Sequence, residues 1–518
     1  MVSKTRLLCV LLLAITSTWL LCFLRAQERT PQLDDPAIEQ RVSKLLGQMT
    51  LEEKVGQLVH FADSSTGPGS PHSDYREQTA QGYVGSFENI TGAAETNALQ
   101  KLAVEKSRLH IPLLFALDVI HGYHTIFPVP LAMASTWDPL LVEQASRIAA
   151  KEATREGIRW AFSPMVDIAR DARWGRIVEG AGEDPYLGSA MAAAYVRGYQ
   201  GARLDDPQSM LACMKHFVGY GAAEAGRDYN SVDMSERMLR QVYLPPFHAA
   251  VEAGGGSVMS AFNTLNGVPA ASNWFTLTHI LRQEWGFQGV TISDYGSIRE
   301  MIAHGIAVDG KTAARKAITA GLDVDLESNV FSRDLAELVR SGVVPESAVD
   351  QAARRMLRIK FALGLFDHPY APEPSAELST AGNPPLDPAN LEFARTVAER
   401  SFVLLKNGES GGKGGKATLP LGPEVHTVAL IGPLADSAAD MLGPWRARGN
   451  VADVVTLRTA LTSRMQQSGG QVLYAKGTEI LTAADSGFAE AVAAAKRADV
   501  VLMALGEDSL WMTGEAGS

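Results

Sequence analysis

Cysteine is almost missing from this chain, with three among 518 residues, at Cys9, Cys22 and Cys213. A disulfide framework is therefore excluded, and stability has to come from a packed core. Runs of Lys or Arg are missing too, and the formal charge is −11. Nothing supplies the positive surface that a phosphate backbone needs, which excludes nucleic acid as a partner. His121 and His124 in HGYH have no Cys, Asp or Glu cluster around them at zinc-like spacing. Loop and packing roles suit them better than a metal site. No metal and no organic cofactor is expected.

A long apolar run spans residues 7–24, preceded by Lys4 and Arg6 and followed by Arg25, Ala26 and Gln27. That order predicts a secretory signal over 1–26, cleaved after Ala26, with an uncleaved anchor as the alternative. Cleavage removes three basic and no acidic residues, so 44 minus 58 leaves −14, and Cys213 becomes the only cysteine. Cys22 lacks the preceding small residues of a lipoprotein signal, so no lipid anchor and no stable membrane insertion is expected. The location implied is periplasmic or secreted.

What is present is a globular composition, 46% hydrophobic and 20% charged. The length exceeds one ordinary core and predicts two domains, one of them large enough for a barrel. From about 40 to 365, short apolar runs alternate with longer amphipathic ones. Candidate strands lie near 55–61, 84–87, 113–117, 160–162, 210–215, 257–260, 290–293 and 322–326. Eight strands at helix-length intervals predict a (β/α)8 barrel over 39–366. Thr50 with Glu53 reads as a capping box, and Asp138-Pro139 and Asp184-Pro185 as helix starts, which leaves Glu183 a weak functional candidate. A Pro-, Ala- and Glu-rich stretch at 367–390 reads as a linker. Beyond it, 391–518 alternates again, with strands near 427–431, 471–474 and 500–505, and helices near 391–400 and 486–497. The fold class is α/β throughout, a closed barrel followed by an open, incomplete α/β sandwich.

In such a barrel, polar residues at the C-terminal ends of strands are the site candidates. Asp118, the pair Lys215-His216, and Asp294 each stand where a buried apolar run stops. The stretch FSPMVDIARDARWGRIVEGAGEDP adds Arg173, Trp174 and Arg176 just past the fourth strand. Guanidinium forks beside an aromatic face suit a sugar ring, which offers hydroxyls at its edge and C–H groups on its faces. Asp323, Asp325 and Glu327 alternate on the last strand, sharing one face, and read as barrel-mouth electrostatics rather than chemistry.

These stretches, together with MTLEEKVGQL, LDVIHGYHTIFP, KHF, VDMSERMLRQVYLPPF and GVTISDYGSI, resemble glycoside hydrolase family 3, its periplasmic β-glucosidase branch above all. The likeness runs over roughly 39–518. It implies a barrel supplying a nucleophile and sugar contacts, and a second α/β domain supplying an acid/base. Asp294 matches the family nucleophile, and Asp118, Arg176, Lys215 and His216 match residues that hold the hydroxyls of the terminal sugar. Arg176 and Lys215 are expected to lower the pKa of Asp294 and keep it ionised. Tyr295 takes a position usually held by Trp or another ring, and Phe262 one where many relatives carry Tyr, so a hydroxyl is missing there. Trp445 resembles an aromatic on the leaving-group side, with a domain-core role as its alternative. Glu515 is the best match for the acid/base and Glu507 the second. The resembled domain normally continues further, so the chain reads as truncated, with the segment after Gly506 poorly anchored.

The activity implied is exo-acting, retaining hydrolysis of a terminal β-glucoside or oligosaccharide without cofactor. β-Xylosidase or mixed activity is the alternative, and a chain that binds sugar without efficient turnover is the rival from another class. A β-N-acetylglucosaminidase is disfavoured, because KHFVGYGAAE lacks the histidine loop of those members.

Overall fold

The computed structural model describes residues 32–65, 70, 72–372, 385–408, 417–509 and 511–517. The signal-like segment at 1–26, residues 373–384 of the expected linker and the Gly/Lys loop at 411–416 lie outside the described residues. Eight short parallel strands form the first sheet: β1 Val59–Ala62, β2 Ser86–Glu88, β3 Leu114–Leu117, β4 Ile158–Ala161, β5 Leu211–Phe217, β6 Ser257–Ser260, β7 Val290–Ile292 and β8 Asp325–Leu326. Each pairs in parallel with the next, β8 returns to β1, and a single bridge between Ile292 and Val324 joins β7 to β8 and closes the barrel. The first strand begins later than its apolar run. Thr50 and Glu53 form a reciprocal capping box, so Val55 belongs to the helix Leu51–Gly56 instead.

All eight strands are buried from end to end. Side chains alternate, so one set fills the barrel and the other meets the surrounding helices. Leu114, Ala116, Trp160, Phe162, Leu211 and Cys213 pack in the interior cluster, whereas Phe115 and Leu117 join the larger cluster outside. Each fully buried Leu, Val or Phe contributes about 1.5–3 kcal/mol. Asp138 and Asp184 cap helices that start at Pro139 and Pro185, as their sequence predicts. The three acidic residues near the last strand do not act as one face. Asp323 pairs with Arg282 and Arg355 at 2.7 Å each, Asp325 caps the backbone N–H groups of Ser328, Val330 and Phe331, and Glu327 accepts from Ala62 N–H at 2.6 Å.

After the helix Pro388–Ser401, a second parallel sheet is built from β9 Thr427–Ile431, β10 Gln471–Ala475 and β11 Val500–Met503, in the order β10-β9-β11. Helices Leu457–Gln467 and Phe488–Lys496 pack against it. The first of these has weak apolar periodicity and starts on the Thr456 cap. Two loops of this unit reach the barrel mouth. His121 contacts Pro444 O at 2.7 Å and Phe127 O at 2.8 Å, and Tyr123 O accepts from Arg448 N–H at 3.0 Å. HGYH is thus a seat for the 443–449 loop, which carries Trp445 in a left-handed conformation. The segment after Gly506, expected to be loose, is tied down. Asp440 accepts from Ser509 N–H at 2.8 Å, and the 514–517 loop bonds to the barrel. Carboxylates facing backbone N–H groups supply the anchoring that its apolar content does not.

Candidate active site

At the C-terminal ends of the strands lies a half-open cavity of about 320 Å³. Its wall brings together Asp118, Arg176, Lys215, Asp294, Tyr295, Trp445 and Glu515, which the sequence spreads over about 400 residues. Asp294 follows β7 by two residues. A sharp turn holds it at the mouth, made possible by Gly296 at φ 70°, whose N–H bonds Leu326 O at 2.9 Å. Tyr295 N–H donates to Asp294 Oδ1 at 2.8 Å, while the buried Oδ2 has no hydrogen-bond partner among the described residues. Arg176 NH1 and Trp445 Nε1 are likewise buried and without a hydrogen-bond partner there. All three residues line the one cavity, so its wall is rich in polar groups.

Lys215, on β5, pairs with Asp118 and stands 5.5 Å from the centre of the Trp445 ring. Its chain neighbour His216 is held behind Arg176 instead. His216 Nδ1 lies 2.8 Å from Asp167 Oδ2, and Nε2 lies 2.9 Å from Arg176 NH2 and 3.7 Å from Asp294 Oδ2. Arg176 itself grips Glu179 through two bonds of 2.9 and 3.0 Å, both side chains being 1% exposed. Its NH1 faces Glu515 Oε2 at 3.9 Å.

Electrostatics follow from burial. The Asp294 carboxyl is pushed well above its usual range by burial; Arg176 pulls it back, Glu515 pushes it up again, and Lys215 and Tyr295 N–H lower it. The sequence-based expectation of a net lowering therefore does not hold in the free site, because desolvation outweighs both cations. Burial also works against charge on Lys215, yet Asp118 overcomes it and the ammonium is held above its usual range. Arg176 behaves likewise, with Glu179 and then Glu515 outweighing burial. His216 is driven well below its usual range by burial and then by Arg176 and Lys215, so its ring is neutral. With Nδ1–H given to Asp167 and Nε2 accepting from Arg176, it has no free nitrogen for a hydroxyl in this arrangement. His216 is 1% exposed and does not line the cavity.

Glu507 and Glu183 are exposed and stand outside the cavity wall. Sequence reasoning missed Glu88, Tyr229 and Glu300, which do line it. Glu88 ends β2, the same signal that singled out Asp118. In the β2–β3 register it lies opposite Ala116, two residues before Asp118, so both point into the mouth. Burial, then Asp118, pushes its carboxyl well above the usual range, against the pull of Lys215. Phe262 also lines the cavity, with Tyr229 edge-on to its ring at 5.1 Å.

Comparison with known proteins gives two family matches, the glycosyl hydrolase family 3 N terminal domain over residues 28–359 and the family 3 C-terminal domain over 402–518. A periplasmic beta-glucosidase of Salmonella typhimurium is 40% identical over 502 residues, covering 92% of this chain and 63% of that protein. A beta-xylosidase of Formosa agariphila is 33% identical, over 94% of this chain and 64% of its own length. The crystal structure of a beta-glucosidase from Listeria innocua with isofagomine superposes with a TM-score of 0.83 at 38% identity, covering 92% of this chain and 65% of that one. The chain thus spans somewhat under two thirds of the length of these relatives.

Proposed function

The chain belongs to glycoside hydrolase family 3, and from that premise we propose that it is an exo-acting, retaining β-glucosidase. The observation that carries the reading is one cavity in which Asp294 Oδ2 and Arg176 NH1 are buried without hydrogen-bond partners, with Glu515 on the same wall. A terminal sugar enters with its hydroxyls on Asp118, Arg176 and Lys215. His216 acts through Arg176, which it orients from behind. Tyr295 and Trp445 flank the leaving group.

Asp294 Oδ2 attacks the anomeric carbon. The bond to the glycosidic oxygen breaks, and that oxygen takes its proton from the Glu515 carboxyl. Water then gives a proton to the Glu515 carboxylate and attacks the same carbon, and the bond to Asp294 breaks, with retention. Asp294 has to be ionised for the first step. Arg176 and Lys215 oppose the burial that would protonate it, and their electrostatic hold strengthens as the sugar excludes water. Glu515 has to carry a proton at that moment and to have lost it before water attacks.

Exported location, through cleavage of the segment 1–26, is part of the proposal and is supported by the periplasmic relative. A β-xylosidase reading is favoured by the Formosa agariphila relative. Nitrophenyl β-glucoside and β-xyloside, assayed side by side, separate the two. An Asp294→Ala variant is expected to stay folded and lose turnover by about 10⁴-fold or more, since the covalent route is gone. A folded variant of undiminished activity sinks the assignment.

A further inference from the structure

Glu515 stands in a loop without regular structure, yet its proton must leave along one line. Four contacts fix that loop to the barrel. Gly175 N–H donates to Gly517 O at 2.7 Å, and Gly514 N–H donates to Gly175 O at 2.9 Å. Ala516 N–H donates to Asp228 Oδ2 at 2.7 Å, and Tyr229 Oη–H donates to Glu515 Oε1 at 2.6 Å. The last two come from adjacent residues of one barrel loop, and both bracket Glu515.

Each contact has its own support. Asp228 Oδ1 accepts from the Trp174 indole at 2.8 Å, and Trp174 is 1% exposed within the cluster of Met165, Tyr220 and Phe262. The carboxylate is thus pinned at one oxygen and holds the Glu515 loop with the other. The Tyr229 and Phe262 rings pack at right angles, which limits where the Tyr229 hydroxyl can go. Tyr229 and Ala516 both have φ of 62°, a left-handed region that side chains seldom adopt. Two such residues meet across one interface, and surrounding contacts have to hold conformations of that kind in place.

We propose that Asp228 and Tyr229 are the positioning residues of the acid/base. Asp228 sets the loop through Ala516 N–H. Tyr229 occupies Oε1, so that Oε2 is the oxygen that carries the transferred proton. The chemistry selects this assignment. A carboxyl that accepts a phenol hydrogen bond at one oxygen bears its own proton on the other. Oε2 is also the oxygen turned toward Arg176 NH1, and Arg176 lines the same cavity as Asp294. The inference rests on Glu515 being the acid/base, and the experiment keeps the two apart.

The full chain and its Glu515→Gln, Tyr229→Phe and Asp228→Ala variants are assayed on two aryl β-glucosides. The 2,4-dinitrophenyl leaving group departs without a proton, whereas 4-methoxyphenol requires one. Glu515→Gln is expected to lose about 10²–10⁴-fold in kcat/KM on the methoxyphenyl substrate and little in the glycosylation step of the dinitrophenyl one. Tyr229→Phe and Asp228→Ala are expected to lose about 10–100-fold on the methoxyphenyl substrate alone, with inhibition by isofagomine changed less than threefold. Equal losses on both substrates, or none on either, overturn the proposal while leaving Glu515 in its role. If Glu515→Gln itself shows no dependence on the leaving group, the underlying reading fails instead. Tyr229→Phe removes one oxygen from a partly exposed ring, so it decides the question even where Asp228→Ala folds poorly.

Discussion

Arg176 is one of two cations among the described residues of the cavity wall, and its grip on Glu179 yields a prediction with a magnitude. Both side chains are 1% exposed and share two hydrogen bonds of 2.9 and 3.0 Å. Arg176→Met leaves the Glu179 carboxylate buried without its cation, and breaking a buried pair from one side costs about 3–5 kcal/mol. The two charge-assisted bonds, at about 1.5–3 kcal/mol each, give the same range. A barrel of roughly 300 residues has an unfolding entropy of about 0.6 kcal/mol/K, so Tm is expected to fall by about 5–8 °C. Glu179→Leu costs less, because Arg176 still faces Glu515 at 3.9 Å and interacts with Asp294. Combining both substitutions removes the orphaned carboxylate and recovers most of the loss, since apolar replacement of a whole buried pair is close to neutral. Urea unfolding of the four proteins gives the coupling energy. A coupling below about 1 kcal/mol, or an Arg176→Met variant as stable as the parent, would refute the reasoning.

Three further outcomes are expected. Lys360 is fully buried, donates to Gln57 and Gly85 O at 2.6 and 2.8 Å, and is lowered by burial to about 7. Its folded pKa lies below the unfolded value of 10.5, so the unfolded chain holds the extra proton between pH 7 and 10.5, and stability from this group rises with pH across that window. Urea unfolding should show about 2 kcal/mol of added stability between pH 7 and 9 that Lys360→Met abolishes, and a parent without it contradicts the burial. His121→Phe releases Pro444 O and with it the loop that carries Trp445. KM for a β-linked disaccharide should rise about 5–30-fold with kcat nearly unchanged, and a fall in kcat alone would place His121 elsewhere. A Cβ at Gly175 would meet Gly517 O at 2.2 Å, so Gly175→Ala must displace the Glu515 loop. Its activity on poor leaving groups should drop about 100-fold with Tm nearly unchanged, and full activity would show that the loop needs no such contact.

What the sequence disclosed and what it withheld have separate physical causes. Parallel strands buried on both faces leave continuous apolar runs, so the barrel and the residues that end its strands were legible. Asp118, Lys215 and Asp294 appeared by that rule, and Glu88 obeys it equally, ending the run at 84–87. Asp228 and Tyr229 left no such trace. They lie in a loop without periodicity, and their role exists only once the second unit sets Ala516 and Glu515 against them. The KHF stretch alone does not say which of Lys215 and His216 faces the cavity; Asp167, 49 residues before His216, decides it by taking the imidazole. Depth was invisible in the same way. The sequence supplied the cations around Asp294 but not how far from water they would stand, and desolvation decided the direction of its shift. The burial that raises Asp294 is opposed by Arg176 and Lys215, whose charge is in turn maintained by Glu179 and Asp118. In the mechanism proposed above, that one carboxylate therefore leans on two ion pairs behind it, and Glu179 takes part in it from outside the cavity wall.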